Sequence, residues 1–323
     1  MDKNMSSLKK DMKEGKQVVL FLGAGINYSP QKHLLWNDVL SKFLHDAIPL
    51  LNLPPTDVVD LQHGLSLNNE EFTTETKVSV IKNLLGGSYV PLLQNIIYNE
   101  CNHDILKNAC DKYLKNDANI KNTDFYTLFS VAEFILNNDN IKAVVTYNYD
   151  NFLTEAITLL QQNKASRATI TERWNENTFH PIDFYSGWTD EPFLTSTFLI
   201  YHIHGYIQPP VALVPNKRNK VVMSLEEFYD NAKEVFSWQT ATQIHFLTHY
   251  TCIYIGTSFN DMTMQRMQYF ADIEHNNESI YYLTAKGDAY ARLKNIFFEN
   301  SNHLKVITAD NYQELYNNLL NRE

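Results

Sequence analysis

The sequence predicts an α/β fold, with a doubly wound, mostly parallel (Rossmann-like) sheet and a helical insertion subdomain. Short and almost wholly apolar segments recur along the 323 residues, as expected for strands that are buried on both faces of a parallel sheet. Segments of helical periodicity separate them. The first apolar segment ends in a glycine turn that precedes a helical pattern, and this order opens a doubly wound fold.

The predicted elements begin with a short amphipathic helix over 6–16 and the strand Gln17–Leu22, which stops at Gly23-Ala24-Gly25. A helix follows near Trp36–Ile48. Beyond residue 121 we predict two further helices, five strands and one very short strand. The helices are Phe125–Leu136 and Phe152–Gln162, and the strands are Ile141–Tyr147, Phe198–Ile203, Cys252–Ile255, Ile280–Leu283, Lys305–Ile307 and the short Val221–Met223.

One domain, 1-323, is expected to account for the whole chain, with two insertions. Residues 49–121 show helical periodicity broken by Pro54-Pro55 and Gly86-Gly87 and no strong strand pattern, which predicts a helical insertion. A smaller insertion covers about 206–250. Within it, Ser224 stands three residues before Glu227, the spacing of a capping box, which predicts the start of a helix.

The composition excludes several classes of protein. A net charge of −10 opposes non-specific binding to nucleic acid, and the basic cluster at 217–220 is interpreted as an exposed loop. No segment approaches the roughly 20 apolar residues of a membrane span, and the polar N-terminus is not a signal peptide, so a cytoplasmic protein is expected. The three cysteines form neither a disulfide framework nor a metal-binding pair.

Four of the predicted strands end in polar or glycine clusters. The clusters are Gly23-Ala24-Gly25-Ile26-Asn27, Thr146-Tyr147-Asn148-Tyr149-Asp150, His202-Ile203-His204-Gly205 and Gly256-Thr257-Ser258-Phe259-Asn260-Asp261. Ligands bind at the carboxyl ends of the strands in open α/β sheets. A purely structural sheet has no need to place Asn, Asp and His at successive strand ends, so a ligand site is predicted at this edge.

The first cluster suits a phosphate, because Gly23 and Gly25 allow close backbone approach and a following helix offers free N–H groups. The dehydrogenase pattern G-x-G-x-x-G fails, since its sixth position is Tyr28, and no Gly-Lys-Ser/Thr of a P-loop follows. A tight turn into a helix is the alternative interpretation.

Taken together, the four clusters resemble the sirtuins in their order and strand context. The finer resemblance is to the sirtuin-like NAD hydrolases (NADases) of bacterial anti-phage defence systems. It rests on Trp36 after the glycine loop, the segment Val222–Tyr229 after His-Gly, and the Gly-x-Ser-x-x-Asp form ending at Asp261. The resemblance covers roughly 15–45 and 120–285, and 49–121 carries no recognisable motif.

The resemblance implies roles for the clustered residues. Asn148 would orient the ribose and the attacking water, Asp150 would hold the nicotinamide carboxamide or stabilise the developing positive charge, and His204 would be the general base. Residues that would contact NAD, the substrate, are Gly23, Ala24, Gly25, Asn27, Gly256, Thr257, Ser258 and Asp261. Asp261 has the alternative of capping the helix that follows it.

No metal is expected. If the strand continued through both histidines, His202 and His204 would face the same side and an H-x-H pair would be conceivable, but no third ligand has suitable spacing. A packed, hydrogen-bonded His202 is the preferred interpretation.

Departures from the deacylase sirtuins change the expected reaction. Those enzymes carry a four-cysteine zinc module after the His-Gly, whereas residues 206–251 contain no cysteine. Asn27 replaces the usual Ser, and the Pro-Asp-Phe-Arg continuation is missing. Without the module that helps to grip an acyl-lysine peptide, water becomes the expected acceptor, which favours an NAD glycohydrolase.

The expected protein is therefore an NAD-depleting effector of a bacterial anti-phage (abortive infection) system that releases nicotinamide and ADP-ribose. Such activity needs gating, so a homo-oligomer and a partner such as a HerA-type ATPase or a short Argonaute-like protein are expected from the family alone. Two alternatives stay open: a non-catalytic module that senses NAD or ADP-ribose, and a sirtuin-type protein deacylase or ADP-ribosyltransferase.

Overall fold

The computed structural model describes residues 3–32, 34–66, 69–115, 125–161, 169–173, 197–210, 221–233, 237–259, 261–273, 279–285, 296 and 304–320. The basic cluster at 217–220 lies outside these ranges.

Seven parallel strands form a single sheet. They are β1 (Val18–Leu22), β2 (Ile141–Thr146), β3 (Thr169–Arg173), β4 (Thr197–His202), β5 (Thr251–Ile255), β6 (Ile280–Ala285) and β7 (Lys305–Ala309). Their order across the sheet is β3-β4-β2-β1-β5-β6-β7. β1 pairs with β2 on one side and with β5 on the other, so the direction of winding reverses at β1. The doubly wound fold is confirmed, and β1 lies at the switch point where ligands bind in such sheets.

Two strand predictions differ from the structure. The edge strand β3, Thr169–Arg173, was not predicted, because its polar sequence lacks the apolar run expected of a buried strand; it pairs with β4 alone. The prediction of a short strand at Val221–Met223 was wrong. This buried segment pairs with no described strand. Two hydrogen bonds hold it instead, one from the Val222 amide to the His204 carbonyl and one from the Tyr149 hydroxyl to the Val222 carbonyl.

Twelve α-helices are described. They are α1 (Lys3–Lys13), α2 (Trp36–Ala47), α3 (Pro55–Leu65), α4 (Thr74–Leu85), α5 (Tyr89–Glu100), α6 (His103–Leu114), α7 (Tyr126–Leu136), α8 (Phe152–Gln161), α9 (Leu225–Lys233), α10 (Trp238–His249), α11 (Met262–Ile273) and α12 (Tyr312–Leu320). The predicted capping box is present, since Glu227 accepts hydrogen bonds from the Ser224 amide and hydroxyl at the start of α9.

Helices cover both faces of the sheet. Alternate residues of β1 enter two separate cores: Leu20 and Leu22 pack toward α1, α2, α7, α8 and α12, whereas Val19 and Phe21 pack toward α10 and α11. All five residues of β1 are fully buried, which is why the strand reads as a continuous apolar run. Cys252 is buried and forms no disulfide, and the same holds for Cys101 and Cys110.

Between α2 and α7, the described part of the chain contains α3–α6 and two 3₁₀ turns and no strand. Thr73 caps α4 by accepting from the Thr76 amide, and Asn102 caps α6 by accepting from the Ile105 amide. Across the described ranges, no helix combines the length and the apolar character that crossing a membrane requires.

Candidate active site

Two glycine loops, which follow β1 and β5, interlock at the carboxyl edge of the sheet. The Gly25 amide donates to the Gly256 carbonyl at 2.8 Å. A Cβ on Gly23 would lie 2.6 Å from the Gly256 oxygen, and one on Gly256, whose φ is +66°, would lie 2.6 Å from the Ile26 nitrogen. Close packing of one loop on the other therefore requires these glycines, whatever else binds there.

The segment after Gly23 differs from the expected helix start. Ala24–Asn27 forms a short 3₁₀ turn, and α2 begins only at Trp36. A long helix therefore does not offer its N-terminus directly behind the glycine loop. The polar groups beside the loop are the side chains of Asn27, Asn148 and Asp150.

Asn27 and Asp150 form a hydrogen-bonded pair. The buried Asn27 Nδ2 donates to Asp150 Oδ2 at 2.8 Å, while Asp150 Oδ1 accepts from the Phe152 amide at 3.0 Å and so caps α8. Asn27 Oδ1 is buried and has no hydrogen-bond partner. Burial raises the pKa of Asp150 to about 6, against the lowering effect of the Phe152 amide, of His202 and of Asn27. A carboxyl group that titrates near neutrality is typical of functional sites.

Asn148 ties the end of β2 to the glycine loop. Its Nδ2 donates to the Gly23 carbonyl at 3.3 Å, and its own carbonyl accepts from Nδ1 of His202 at 3.0 Å. Only 7 % of the residue is exposed. The side chain is thus held in place by the motif at the end of β1.

A small cavity lies beside these residues. Its lining is Ile26, Thr146, Asn148, Asp150, Asn151, Leu153, Thr154, Ile200 and His202. Its volume of ≈ 10 Å³ is room for about one water molecule. A dinucleotide needs a pocket of several hundred cubic ångströms, roughly 300 Å³ or more, so this cavity by itself does not hold NAD.

His204 lies in a turn beyond β4 and does not line this cavity. The strand ends at His202, and Gly205, with a φ of +93°, donates to the His202 carbonyl at 3.2 Å. The assumption behind an H-x-H pair, a strand running through both histidines, therefore does not hold. Within the described ranges, no group of three or more His, Cys, Asp or Glu side chains is placed to hold a metal.

The His204 side chain is buried among aromatic rings and faces Asp261. Ring centroids lie 5.2 Å from Tyr147, 6.4 Å from Tyr149 and 5.7 Å from Phe228. Nε2 is 3.3 Å from Asp261 Oδ2 without forming a hydrogen bond. Burial lowers the pKa of His204, and the Asp261 carboxylate opposes that shift.

Asp261 also caps the next helix, as the alternative prediction had it. Its Oδ1 accepts from the amides of Thr263 at 2.7 Å and Met264 at 3.3 Å at the start of α11. The two carboxylate oxygens of Asp261 thus point to different partners, one to the helix and one to His204.

The insertion helices brace the segment that follows His204. The Tyr98 hydroxyl donates to the Ile207 carbonyl and Gln94 Nε2 donates to the Gln208 carbonyl, each at 2.7 Å. On α4, Ser79 donates to Glu226 and Lys82 pairs with Glu227. Helices α4 and α5 are therefore in direct contact with the chain that leads into α9.

The structure thus gathers the predicted residues into two groups. Asn27, Asn148 and Asp150 lie beside the cavity. His204 and Asp261 contact each other and do not line it. Ser258 is exposed, and Thr257 Oγ1 has no hydrogen-bond partner. Sequence reasoning missed the proximity of His202 to the carboxylate of Asp150 and the contact between His204 and Asp261. The only shared signal was that all four follow or end strands.

Three comparisons with known proteins were made. A solved structure described as "Structural Basis for the Mechanism and Regulation of Sir2 Enzymes" is similar with a TM-score of 0.40 and 13% identity, over 100% of this chain and 97% of that chain. No curated protein sequence matches the chain. The family model described as "SIR2-like domain" matches residues 142–307, just over half of the chain, and includes the motifs at Asn148, His204 and Asp261. The chain belongs to the SIR2-like domain family.

Proposed function

We propose that this chain is an NAD glycohydrolase that cleaves NAD with water to nicotinamide and ADP-ribose. The observation that carries the proposal is the hydrogen bond from Asn148 Nδ2 to the Gly23 carbonyl, which joins two of the strand-end clusters at the switch point of the sheet. The pair of Asn27 and Asp150 lies beside it. Membership of the SIR2-like family supports NAD as the ligand.

The chemistry assigns one task to each of three side chains. As the bond from C1′ to the nicotinamide nitrogen breaks, its electron pair stays with nicotinamide, which leaves neutral, and positive charge develops on the ribose. The Asp150 carboxylate stabilises that charge and Asn148 orients the water. The water oxygen bonds to C1′, and its proton passes to His204.

The glycine loops are proposed to hold the pyrophosphate and ribose through Gly23, Ala24, Gly25 and Asn27 on one side and Gly256, Thr257 and Ser258 on the other. Two oxygens without partners fit this role. Asn27 Oδ1 and Thr257 Oγ1 form no hydrogen bond, and a ribose hydroxyl can donate to either.

Water is the proposed acceptor because the sequence between residues 206 and 251 contains no cysteine for a zinc module. The proposed biological role follows the family resemblance: an NAD-depleting effector of anti-phage defence that is active in a homo-oligomer or with a partner such as a HerA-type ATPase or a short Argonaute-like protein. Direct contact between the insertion and the His204 segment supports control by assembly.

The test is to follow free nicotinamide from NAD with the purified chain, alone and with candidate partners. Release is expected in the wild type and is expected to be lost in His204→Ala and in Asn148→Ala. Release that persists in both variants contradicts the site. NAD binding without release favours a sensing module, and release that needs an acyl-lysine peptide favours a deacylase.

A further inference from the structure

Asp261 contacts the side chain of His204, and this contact does not depend on a bound substrate. It comes from the loop after β5, whereas His204 comes from the turn after β4, and β1 and β2 lie between these strands in the sheet. The 3.3 Å contact between the two side chains is therefore long-range and is created by the fold. His204 is 5 % exposed, so its ring has little freedom to exchange this neighbour for water.

The two oxygens of Asp261 are not equivalent. Oδ1 is fixed by the amides of Thr263 and Met264, which need an acceptor at the start of α11. With Oδ1 held there, Oδ2 lies 3.3 Å from Nε2 of the imidazole. The helix cap thus sets the direction in which the free oxygen points.

We propose that Asp261 is a positioning residue for His204, whose cap-fixed carboxylate holds the imidazole proton on Nε2 and leaves the lone pair on Nδ1 to accept a proton. The inference deepens the proposed function, on which the assignment of His204 as base rests. It also moves Asp261 from the residues that contact NAD to those that act through another side chain.

The geometry explains why this tautomer is favoured. A carboxylate accepts and never donates when ionised, so Nε2 lowers its energy by carrying the proton. No hydrogen bond to Nδ1 forms among the described residues. The contact does not have hydrogen-bond geometry in the free chain, as is common before a substrate tightens the site.

Phe228 cannot compete for either ring nitrogen, since it has no polar atom. Tyr147 and Tyr149 also face the ring, and burial raises the pKa of both hydroxyls well above their usual value, so they stay neutral. Asp261 is therefore the charged group that faces His204 from the elements described around it.

The substitution Asp261→Asn separates positioning from capping. The amide oxygen of Asn is expected to keep the cap, because the Thr263 and Met264 amides still need an acceptor. The NH₂ group then faces Nε2 and donates to it, which pushes the imidazole proton onto Nδ1. The fold is retained and the tautomer is inverted.

The experiment is ¹⁵N NMR of histidine-labelled full-length chain at pH 8, with the His204 resonance assigned by its loss in His204→Gln. The wild type is expected to carry the proton on Nε2, Asp261→Asn on Nδ1, and Asp261→Ser, which keeps a capping oxygen but is too short to reach the ring, a mixture. Asp57→Asn, the same change at an exposed position of α3, is the matched control and is expected to leave the tautomer unchanged.

The second readout is nicotinamide release from NAD, where Asp261→Asn is expected to lower kcat by about 10- to 100-fold with little change in KM. A wild-type tautomer in Asp261→Asn overturns the positioning role, whatever the activity. An inverted tautomer in a chain whose wild type releases no nicotinamide with any partner supports positioning and contradicts the proposed hydrolase.

Discussion

Lys82 of α4 and Glu227 of α9 form an ion pair that links the insertion to the segment following His204. The same carboxylate accepts from the amides of Met223 and Ser224, so it organises the start of α9 at the same time. The next residue of α9, Phe228, packs edge-on against the His204 ring. The insertion is thus separated from the proposed base by very few contacts.

Replacing Lys82 with Met is expected to lower the free energy of unfolding by about 1 kcal/mol, because the pair is largely buried and Glu227 would lose its partner. Hydrogen exchange at 221–228 should become faster. Lys10→Met is the control, since the Lys10–Glu14 pair is mostly exposed and contributes little. If both substitutions lower the free energy of unfolding in urea equally, the Lys82–Glu227 pair does not stabilise the fold more than an exposed pair does.

Gly256→Ala is expected to destabilise the fold by about 2–4 kcal/mol, because its φ is +66° and the new Cβ would lie 2.6 Å from the Ile26 backbone nitrogen. Gly64→Ala in the last turn of α3 is the matched control. A Cβ there meets nothing within 4 Å, and the chain should gain up to about 1 kcal/mol. Thermal and urea unfolding measure both, and a neutral Gly256→Ala would show that the two loops are not tightly packed.

Asp150→Asn is expected to stabilise the protein above pH 6 while it abolishes nicotinamide release. The folded-state pKa of Asp150 is raised from 3.8 to about 6, so the wild type is relatively most stable below pH 4 and loses that stability as pH rises through 6. The gain at pH 8 should be on the order of 2 kcal/mol. Asn27 can turn its amide and offer Oδ1 to the new NH₂ group.

The measurement is urea unfolding of the wild type and of Asp150→Asn from pH 4 to pH 8. The two stability curves should converge at the acid end and separate between pH 4 and 6. Curves that stay parallel over this range would show that Asp150 titrates normally.

The pH profile of kcat/KM is expected to reach its plateau by about pH 7, because burial lowers the pKa of His204 below its usual 6.5 and Asp150 is ionised above about 6. The His204 base is neutral and competent throughout the plateau. Steady-state nicotinamide release between pH 5 and 9 checks this, and an acidic limb centred above pH 7 would contradict both assignments.

The strand and glycine patterns predicted the sheet well, because a strand buried on both faces has a continuous apolar sequence. Such a sequence can be recognised without knowing which strands pair with it. Val18–Leu22 and the capping box at Ser224 are such local signals. The edge strand Thr169–Arg173 escaped, since a strand paired on one side does not need that run. The motif ends also predicted that Asn148 would lie near the glycine loop.

The sequence did not predict which side chains of distant motifs contact each other. Nothing near His204 indicates that its neighbour is Asp261, and nothing near Asn27 indicates that its amide serves Asp150. Such contacts depend on strand order, which apolar periodicity does not specify. Strand order also determines that the missing side chain of Gly23 makes room for the Gly256 carbonyl, a contact that the sequence did not indicate.

The interlock of the two glycine loops bears on how the protein is made. The first loop leaves the ribosome well before its partner at Gly256, and contacts so distant in sequence form late in folding. A truncated product that ends before Gly256 lacks one wall of the proposed site. Under the proposed function, chains that end before Gly256 are therefore expected to release no nicotinamide from NAD.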